Sequence, residues 1–372
     1  MKILITSKTY PGVIGVSTYI EQLLQGLKLH GHHVDFFIHN PFLKNPYSNY
    51  RRKTTNHYLD NYQAAASHLP FVQYDIVHSQ GIIPTVAVSR ILPNHIPLVN
   101  SLHGALTFNS LINGGLRKNT PSWQQSLALE SRAVSSSDIC IVGSKWLKNV
   151  LLQDYKVPET QQFSIIPYGL NIEEFNKKMQ MPPSILRPIN KFVIACTARL
   201  VPLKGHKYLL DALVKLKRHR QDWVCWLIGD GPLSNQLKQL ANKLGLQDYI
   251  KFLGNQNNIP ALLNQIDLFV FPSLQDNFPY GVMEAQIAGV PVIATDAGGI
   301  PEMIHNGTSG LISPKYNSDS LFQNMKTLIE NANLRGVLAN NAKSWAMEYC
   351  SQEKMITNTI AVYQKALQMK NV

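Results

Sequence analysis

The chain has 372 residues, 45% of them hydrophobic and 16% charged, and 35 Lys plus Arg stand against 23 Asp plus Glu, a formal net charge of +12. That balance excludes a disordered chain and leaves enough apolar surface for about two domains of roughly 100–200 residues. Four scattered cysteines, Cys140, Cys196, Cys225 and Cys350, lack any C-x-x-C spacing, which argues against a disulfide framework or a thiolate zinc site and suits a reducing cytoplasm.

Residues Ile3 to Thr6 follow one lysine and run into a glycine-containing turn, so they read as a first strand and not as a signal-peptide core. A helix follows, with Ile20, Leu23, Leu24 and Leu27 at helical spacing and Gly31 as its stop. Further strands are expected at Val34 to Ile38, Ile76 to His78, Leu98 to Ser101, Ile139 to Val142 and Phe163 to Ile166. A second series restarts at Phe192 to Thr197 and continues through Trp223 to Ile228, Tyr249 to Leu253, Leu268 to Phe271 and Val292 to Ala294. Strands alternating with helical patterns predict an α/β chain of two Rossmann-like, doubly wound parallel sheets, over about 1–170 and 190–350. Pro182, Pro183 and Pro188 forbid a regular element between them, so 177–188 reads as the linker. The helical stretch Gln352 to Lys370 could pack on either domain. No apolar run reaches the roughly 18 residues of a membrane span.

Two segments of the first half break the pattern. Pro41 to Pro70 is polar, basic and tyrosine-rich, with Tyr47, Tyr50, Arg51, Arg52, Lys53, His57, Tyr58 and Tyr62, and Gly104 to Ser122 is apolar, then glycine-rich, then basic. They read either as surface insertions or as loops lining an acceptor site or touching a membrane.

Residues with chemical potential sit at strand ends, where ligands of doubly wound sheets bind. Tyr10 to Ser17 carries Gly12 and Gly15 ahead of a helix, a turn that lets backbone N–H groups approach an anion or serves only to turn the chain. His103 follows a first-half strand. Arg199 and Lys204 follow Thr197, a planar fork and a mobile point charge that suit a diphosphate or else are plain surface charges. The segment Phe271 to Ala285 joins a strand to a helix, whose first turn at Tyr280, Gly281 and Val282 should offer N–H groups to an anion. Asp276 and Glu284 are carboxylates able to accept from vicinal hydroxyls, or else a helix cap and a solvent-facing side chain.

This last segment resembles the E-x7-E motif of the retaining nucleotide-sugar glycosyltransferases with two Rossmann-like domains, the GT-B fold. Other pieces match in the same order: Ile166 to Asn171, Arg199 to Gly205, Gly229 to Leu233, Gly289 to Thr295, Gly298 to Glu302 and Asn306 to Gly310. The resemblance implies that Arg199 and Lys204 bind the donor diphosphate, that Glu284 holds the ribose hydroxyls, and that Asp276 contacts the transferred sugar. Asp276 is one methylene shorter than the usual Glu, so either the sugar sits closer or Asn277 shares the contact. Gly12 and Gly15 would approach the phosphates, with Val16 where the family has a second glycine. His103 matches the histidine that faces the sugar, and Asn255, in Phe252-Leu253-Gly254-Asn255, lies in the segment whose backbone reads the nucleobase.

The resulting expectation is a retaining hexosyltransferase moving a sugar from a nucleoside-diphosphate sugar, UDP first and GDP second, to a hydroxyl of a glycan, glycolipid or small-molecule acceptor, in cell-envelope polysaccharide or glycolipid synthesis. No D-x-D occurs in the chain, so no metal or other cofactor is expected. The expected location is cytoplasmic, with peripheral attachment to an anionic inner membrane face left open and no nucleic-acid partner. The rival readings are a sugar phosphorylase on the same fold, disfavoured because no lysine is obviously placed for pyridoxal phosphate, and a basic nucleic-acid-binding protein.

Overall fold

The computed structural model describes residues 1–8, 10, 14–39 and 55–370. Six strands, β1 (Lys2–Ser7), β2 (His33–Ile38), β3 (Ile76–Gln80), β4 (Leu98–Leu102), β5 (Ile139–Val142) and β6 (Gln162–Ile165), form one parallel sheet in the order β2-β1-β3-β4-β5-β6. Between them run helices α1 (Ile14–Leu29), α2 (Thr55–Ala66), α3 (Ile82–Ser89), α4 (Leu106–Ile112), α5 (Pro121–Ser135) and α6 (Lys145–Gln153), with α7 (Ile172–Met179) after β6. The second sheet holds β7 (Phe192–Thr197), β8 (Trp223–Ile228), β9 (Ile250–Gly254), β10 (Leu268–Phe271), β11 (Val292–Thr295) and β12 (Leu311–Ser313) in the order β12-β11-β10-β7-β8-β9, also parallel. Its helices are α8 (His206–His219), α9 (Ser234–Lys243), α10 (Ile259–Leu263), α11 (Tyr280–Ala288), α12 (Ser318–Glu330) and α13 (Ala332–Tyr349), and α14 (Gln352–Lys370) closes the described chain. The expectation of two doubly wound parallel sheets holds.

The chain forms two compact units, one of residues 1–111, 116–169 and 352 onward, the other of 112–115 and 170–351. Strand β8 is buried at all six positions, as a parallel strand covered on both faces must be. The core face of α8 carries Leu209, Leu210, Leu213 and Leu216 at three- and four-residue spacing. Helix α14 belongs to the first unit. It buries Met355, Ile356, Thr359, Val362, Tyr363 and Ala366, and α1 approaches so closely that a Cβ on Gly26 would lie 2.3 Å from the Ile356 side chain.

Three details differ from the sequence reading. Strand β12, two half-buried residues and the buried Ser313, was not expected because so short a run carries no alternation to detect. The proline-rich stretch is not a free linker: Asn258 and Asn264 donate to the Lys178 and Met179 carbonyls, Gln265 Nε2 donates to the Ile185 carbonyl at 2.6 Å, and Arg187 pairs with Asp267 at 2.9 Å. Prolines deny this stretch a ladder but leave its carbonyls able to accept, and those bonds attach it to the second unit. Of the tyrosine-rich insertion, only its end is described. There α2 buries Leu59, Tyr62 and Ala66, and the Tyr62 hydroxyl donates to the Ser7 carbonyl at 3.1 Å. Tyr47, Tyr50, Arg51, Arg52 and Lys53 lie outside the described residues.

Each sheet has one point where strand order reverses, and there the carboxyl ends of neighbouring strands open a ligand position. It falls between β1 and β3 in the first unit and between β7 and β10 in the second.

Candidate active site

In the second unit, the loops after β7 and β10 are tied together. The Leu274 N–H donates to the Leu203 carbonyl at 2.8 Å, and Ser273 Oγ donates to the same carbonyl at 3.3 Å. Two glycines make this approach feasible. Gly205 has φ +63°, and a Cβ there would lie 2.0 Å from the Pro272 carbonyl oxygen; Gly298, also at φ +63°, would place one 1.9 Å from that of Asp276. The Gly299 N–H donates to the Asp276 carbonyl at 2.8 Å, so the backbone of Asp276 is fixed from a third loop.

Those ties bring Lys204 and Asp276 together as an ion pair, with 15% and 17% of their side chains exposed. Lys204 Nζ also stands 5.2 Å over the Phe271 ring, and Ser273 Oγ is 3.4 Å from Asp276 Oδ2. The cation implied for the diphosphate and the carboxylate implied for the sugar are thus partners of each other. Asp276 does not cap α11, whose N-cap is Pro279. Arg199 is exposed just beyond β7, and its guanidinium has no ion-pair or hydrogen-bond partner among the described residues.

Helix α11 starts at Tyr280, with Tyr280 and Val282 buried and Gly281 against Thr197, where a Cβ would come within 2.6 Å of Oγ1. Asn277 is buried just ahead of the helix. Glu284 is half-buried, and its carboxyl finds no hydrogen-bond or ion-pair partner among the described residues; burial pushes its pKa up from 4.5 to about 7. Such a carboxyl can accept hydrogen bonds from a ligand's hydroxyl groups. Asn255, exposed after the edge strand β9, hydrogen-bonds to none of these side chains.

In the first unit His103 follows β4, half-buried, with both ring nitrogens engaged. Nδ1 lies 3.0 Å from the Tyr168 hydroxyl and Nε2 3.0 Å from Gln80 Oε1. Because Gln80 Oε1 can only accept, Nε2 carries the proton and Nδ1 accepts from Tyr168. Burial lowers the pKa of His103 to about 4, so the ring is neutral near pH 7. Tyr19 of α1 packs edge to face on it at 4.7 Å. Gln80, Tyr19 and Tyr168 were not among the expected site residues. Gln80 could have been found, since it ends β3 as His103 follows β4; Tyr19 reads only as a core position of α1. Gly15 is the second residue of α1, and Gly12 lies outside the described residues.

Two family models match the chain. Residues 13–174 fit "Glycosyltransferase Family 4" and residues 178–345 fit "Glycosyl transferases group 1". An uncharacterized glycosyltransferase of Methanocaldococcus jannaschii is 28% identical over 98% of both chains. A D-inositol 3-phosphate glycosyltransferase of Mycobacterium marinum is 28% identical over 82% of this chain and 66% of its own. An Escherichia coli UDP-Gal:alpha-D-GlcNAc-diphosphoundecaprenol alpha-1,3-galactosyltransferase is 27% identical over 73% of this chain and 70% of its own. Among solved structures, a glycosyltransferase of Rickettsia africae has TM-score 0.75 at 22% identity, with 99% of each chain covered. Anabaena HepE in complex with UDP has TM-score 0.73 at 21% identity, covering 98% of this chain and 100% of its own. These structures share the fold.

Proposed function

We propose that this chain, which belongs to the group 1 and family 4 glycosyltransferases of GT-B fold, moves a sugar from a nucleoside-diphosphate sugar to an acceptor hydroxyl with retention of configuration. The observation that carries the donor reading is Glu284, a half-buried carboxyl with no donor among the described residues, on the helix that begins beside Thr197. A ribose diol supplies two hydroxyl donors to such a group. Arg199, without a partner among the described residues, and Lys204, whose ion-pair partner among them is Asp276, then receive the diphosphate. On this reading Lys204 exchanges one anion for another as the donor enters, and Asp276 is released toward the sugar.

In the proposed step the bond from the anomeric carbon to the phosphate oxygen breaks, and a bond to the acceptor oxygen forms on the same face. The acceptor proton passes to the departing phosphate. Cationic side chains and the N–H groups of Gly281 and Val282 stabilise the charge gathering on the nucleotide, an electrostatic task that this reading assigns to no metal. Uridine is the first choice of base, in keeping with the UDP and UDP-galactose named for the HepE structure and the E. coli relative. A glycolipid acceptor at an anionic membrane face fits the surplus charge of +12; among the described residues no helix is long and apolar enough to cross a membrane.

A thermal-shift screen over nucleoside diphosphates and their sugars tests the donor, since a ligand that binds only the native state raises Tm by mass action. UDP should raise Tm for the wild type and not for Glu284→Ala, which should also lose transfer while keeping its fold. Wild-type transfer by a folded Glu284→Ala protein would overturn the assignment, and a rate abolished by EDTA would overturn metal independence.

A further inference from the structure

A polar chain crosses the core of the first unit and joins α14 to the His103 ring. Tyr363 of α14, His78 of β3, Ser101 of β4 and Tyr19 of α1 are each at most 2% exposed. The Tyr363 hydroxyl lies 2.7 Å from His78 Nδ1, His78 Nε2 lies 2.7 Å from Ser101 Oγ, and Ser101 Oγ lies 3.3 Å from the Tyr19 hydroxyl. The Tyr19 ring then meets His103 at 4.7 Å and Tyr168, the hydroxyl partner of His103, at 5.1 Å. Burial holds His78 neutral, so its ring has one donor and one acceptor.

The hydrogen bonds therefore run head to tail in one of two senses. Either Tyr363 donates to Nδ1 and Nε2–H donates to Ser101, or Ser101 donates to Nε2 and Nδ1–H donates to Tyr363. In each sense the Tyr363 hydroxyl fixes which His78 nitrogen is protonated, and the His78 tautomer fixes which way the Ser101 hydroxyl turns toward Tyr19. A core needing only packing would accept apolar groups at these positions at little cost, whereas a satisfied buried network orients its members.

We propose that Tyr363 is a positioning residue for His103, acting through the chain His78, Ser101 and Tyr19 and the ring contact of Tyr19 with His103. The last described helix thereby sets the orientation of a side chain at the end of β4. Only the kinetic consequence rests on the reading of His103 as substrate-facing.

The test compares the full chain with Tyr363→Phe, Tyr19→Phe, the double variant, and Ile356→Val as a packing control at the seam of α1 and α14. Imidazole nitrogen resonances are recorded by NMR without substrate. Tyr363→Phe should shift the resonances of both His78 and His103. The double variant should show the His103 shift of Tyr19→Phe alone, because that link is already cut. Ile356→Val should lower Tm and leave His103 where it was. Unchanged His103 resonances in Tyr363→Phe, or additive shifts in the double variant, would overturn the proposal. Should Tyr363→Phe not fold, Tyr19→Phe reads the chain from its other end, and an unmoved His78 would overturn it equally. In the kinetic arm kcat should fall several-fold with donor KM unchanged. Resonance shifts without any sugar transfer by the wild type would refute the functional reading and leave the positioning intact.

Discussion

Glu130 of α5 is 1% exposed, and its carboxyl accepts from the Leu106 N–H at 3.0 Å and from both the N–H and the hydroxyl of Thr107. These are the unpaired first-turn donors of α4, the helix that starts three residues after His103. Burial pushes the Glu130 pKa up to about 7 from 4.5 for an ordinary glutamate, prevailing over its hydrogen-bond donors, Thr107 first, which pull it down. The folded state thus holds this proton more tightly than the unfolded chain. Its stabilising contribution is complete below about pH 4.5 and is lost as pH rises through about 7, a change of about 3 kcal/mol. Urea denaturation of the wild type and of Glu130→Gln at about pH 5 and about pH 8 isolates the effect, since the amide does not titrate and all other groups cancel in the difference. The stability of wild type relative to variant should fall by about 2.5 kcal/mol between the two conditions, since part of the contribution is already lost at about pH 5. Exchange at the Leu106 and Thr107 amides reads the same change locally. A difference independent of pH would refute the reasoning.

His206, 2% exposed, has no partner on either ring nitrogen among the described residues, and burial with Lys204 nearby lowers its pKa to about 4. The unfolded chain binds that proton first, so this residue destabilises the fold as pH falls from 6.5 toward 4, and His206→Leu should melt higher than wild type at about pH 5 without loss at neutral pH. A lower Tm at pH 7 would show that the ring has a role in the core. Gly298→Ala and Gly307→Ala both place a side chain at positive φ, but the first meets the Asp276 carbonyl at 1.9 Å and the second meets nothing within 4 Å. Calorimetry should give about 1 kcal/mol for Gly307 and more than about 2 kcal/mol for Gly298, with the UDP stabilisation expected under the proposed function lost only in the latter; equal costs would remove the argument that Gly298 pins Asp276.

The sheets were legible because each central strand is a buried β-branched or aromatic run, as in Trp223 to Ile228, followed by a helix with a periodic face. The second-unit residues were legible because the sequence keeps them near strand ends. What could not be read was which side chains meet. Nothing in the spacing of Lys204 and Asp276, 72 residues apart, states that they pair, and the reading of Asp276 as a helix cap fails because the loop runs on to Pro279. Tyr363 is harder still. It sits on the apolar stripe of α14 at an ordinary core spacing, and its partner His78 is 285 residues away. Polar networks of this kind are tertiary facts: each member obeys the burial pattern of its own element, and only the packing reveals that the hydroxyls and ring nitrogens coincide.

The return of α14 to the first unit has a consequence for synthesis. The second unit, apart from residues 112–115, is one continuous stretch whose entry and exit are neighbours, with the Leu170 N–H donating to the Cys350 carbonyl at 2.9 Å. A ribosome completes that stretch while the first unit still lacks the helix that covers α1. The later-starting unit can therefore finish first, reversing the usual N-terminal-first order. Until residues 352–370 emerge, the cover over α1 and the hydroxyl partner of His78 are missing. The chain with the His103 ring at its end is then assembled only after the second unit is already built.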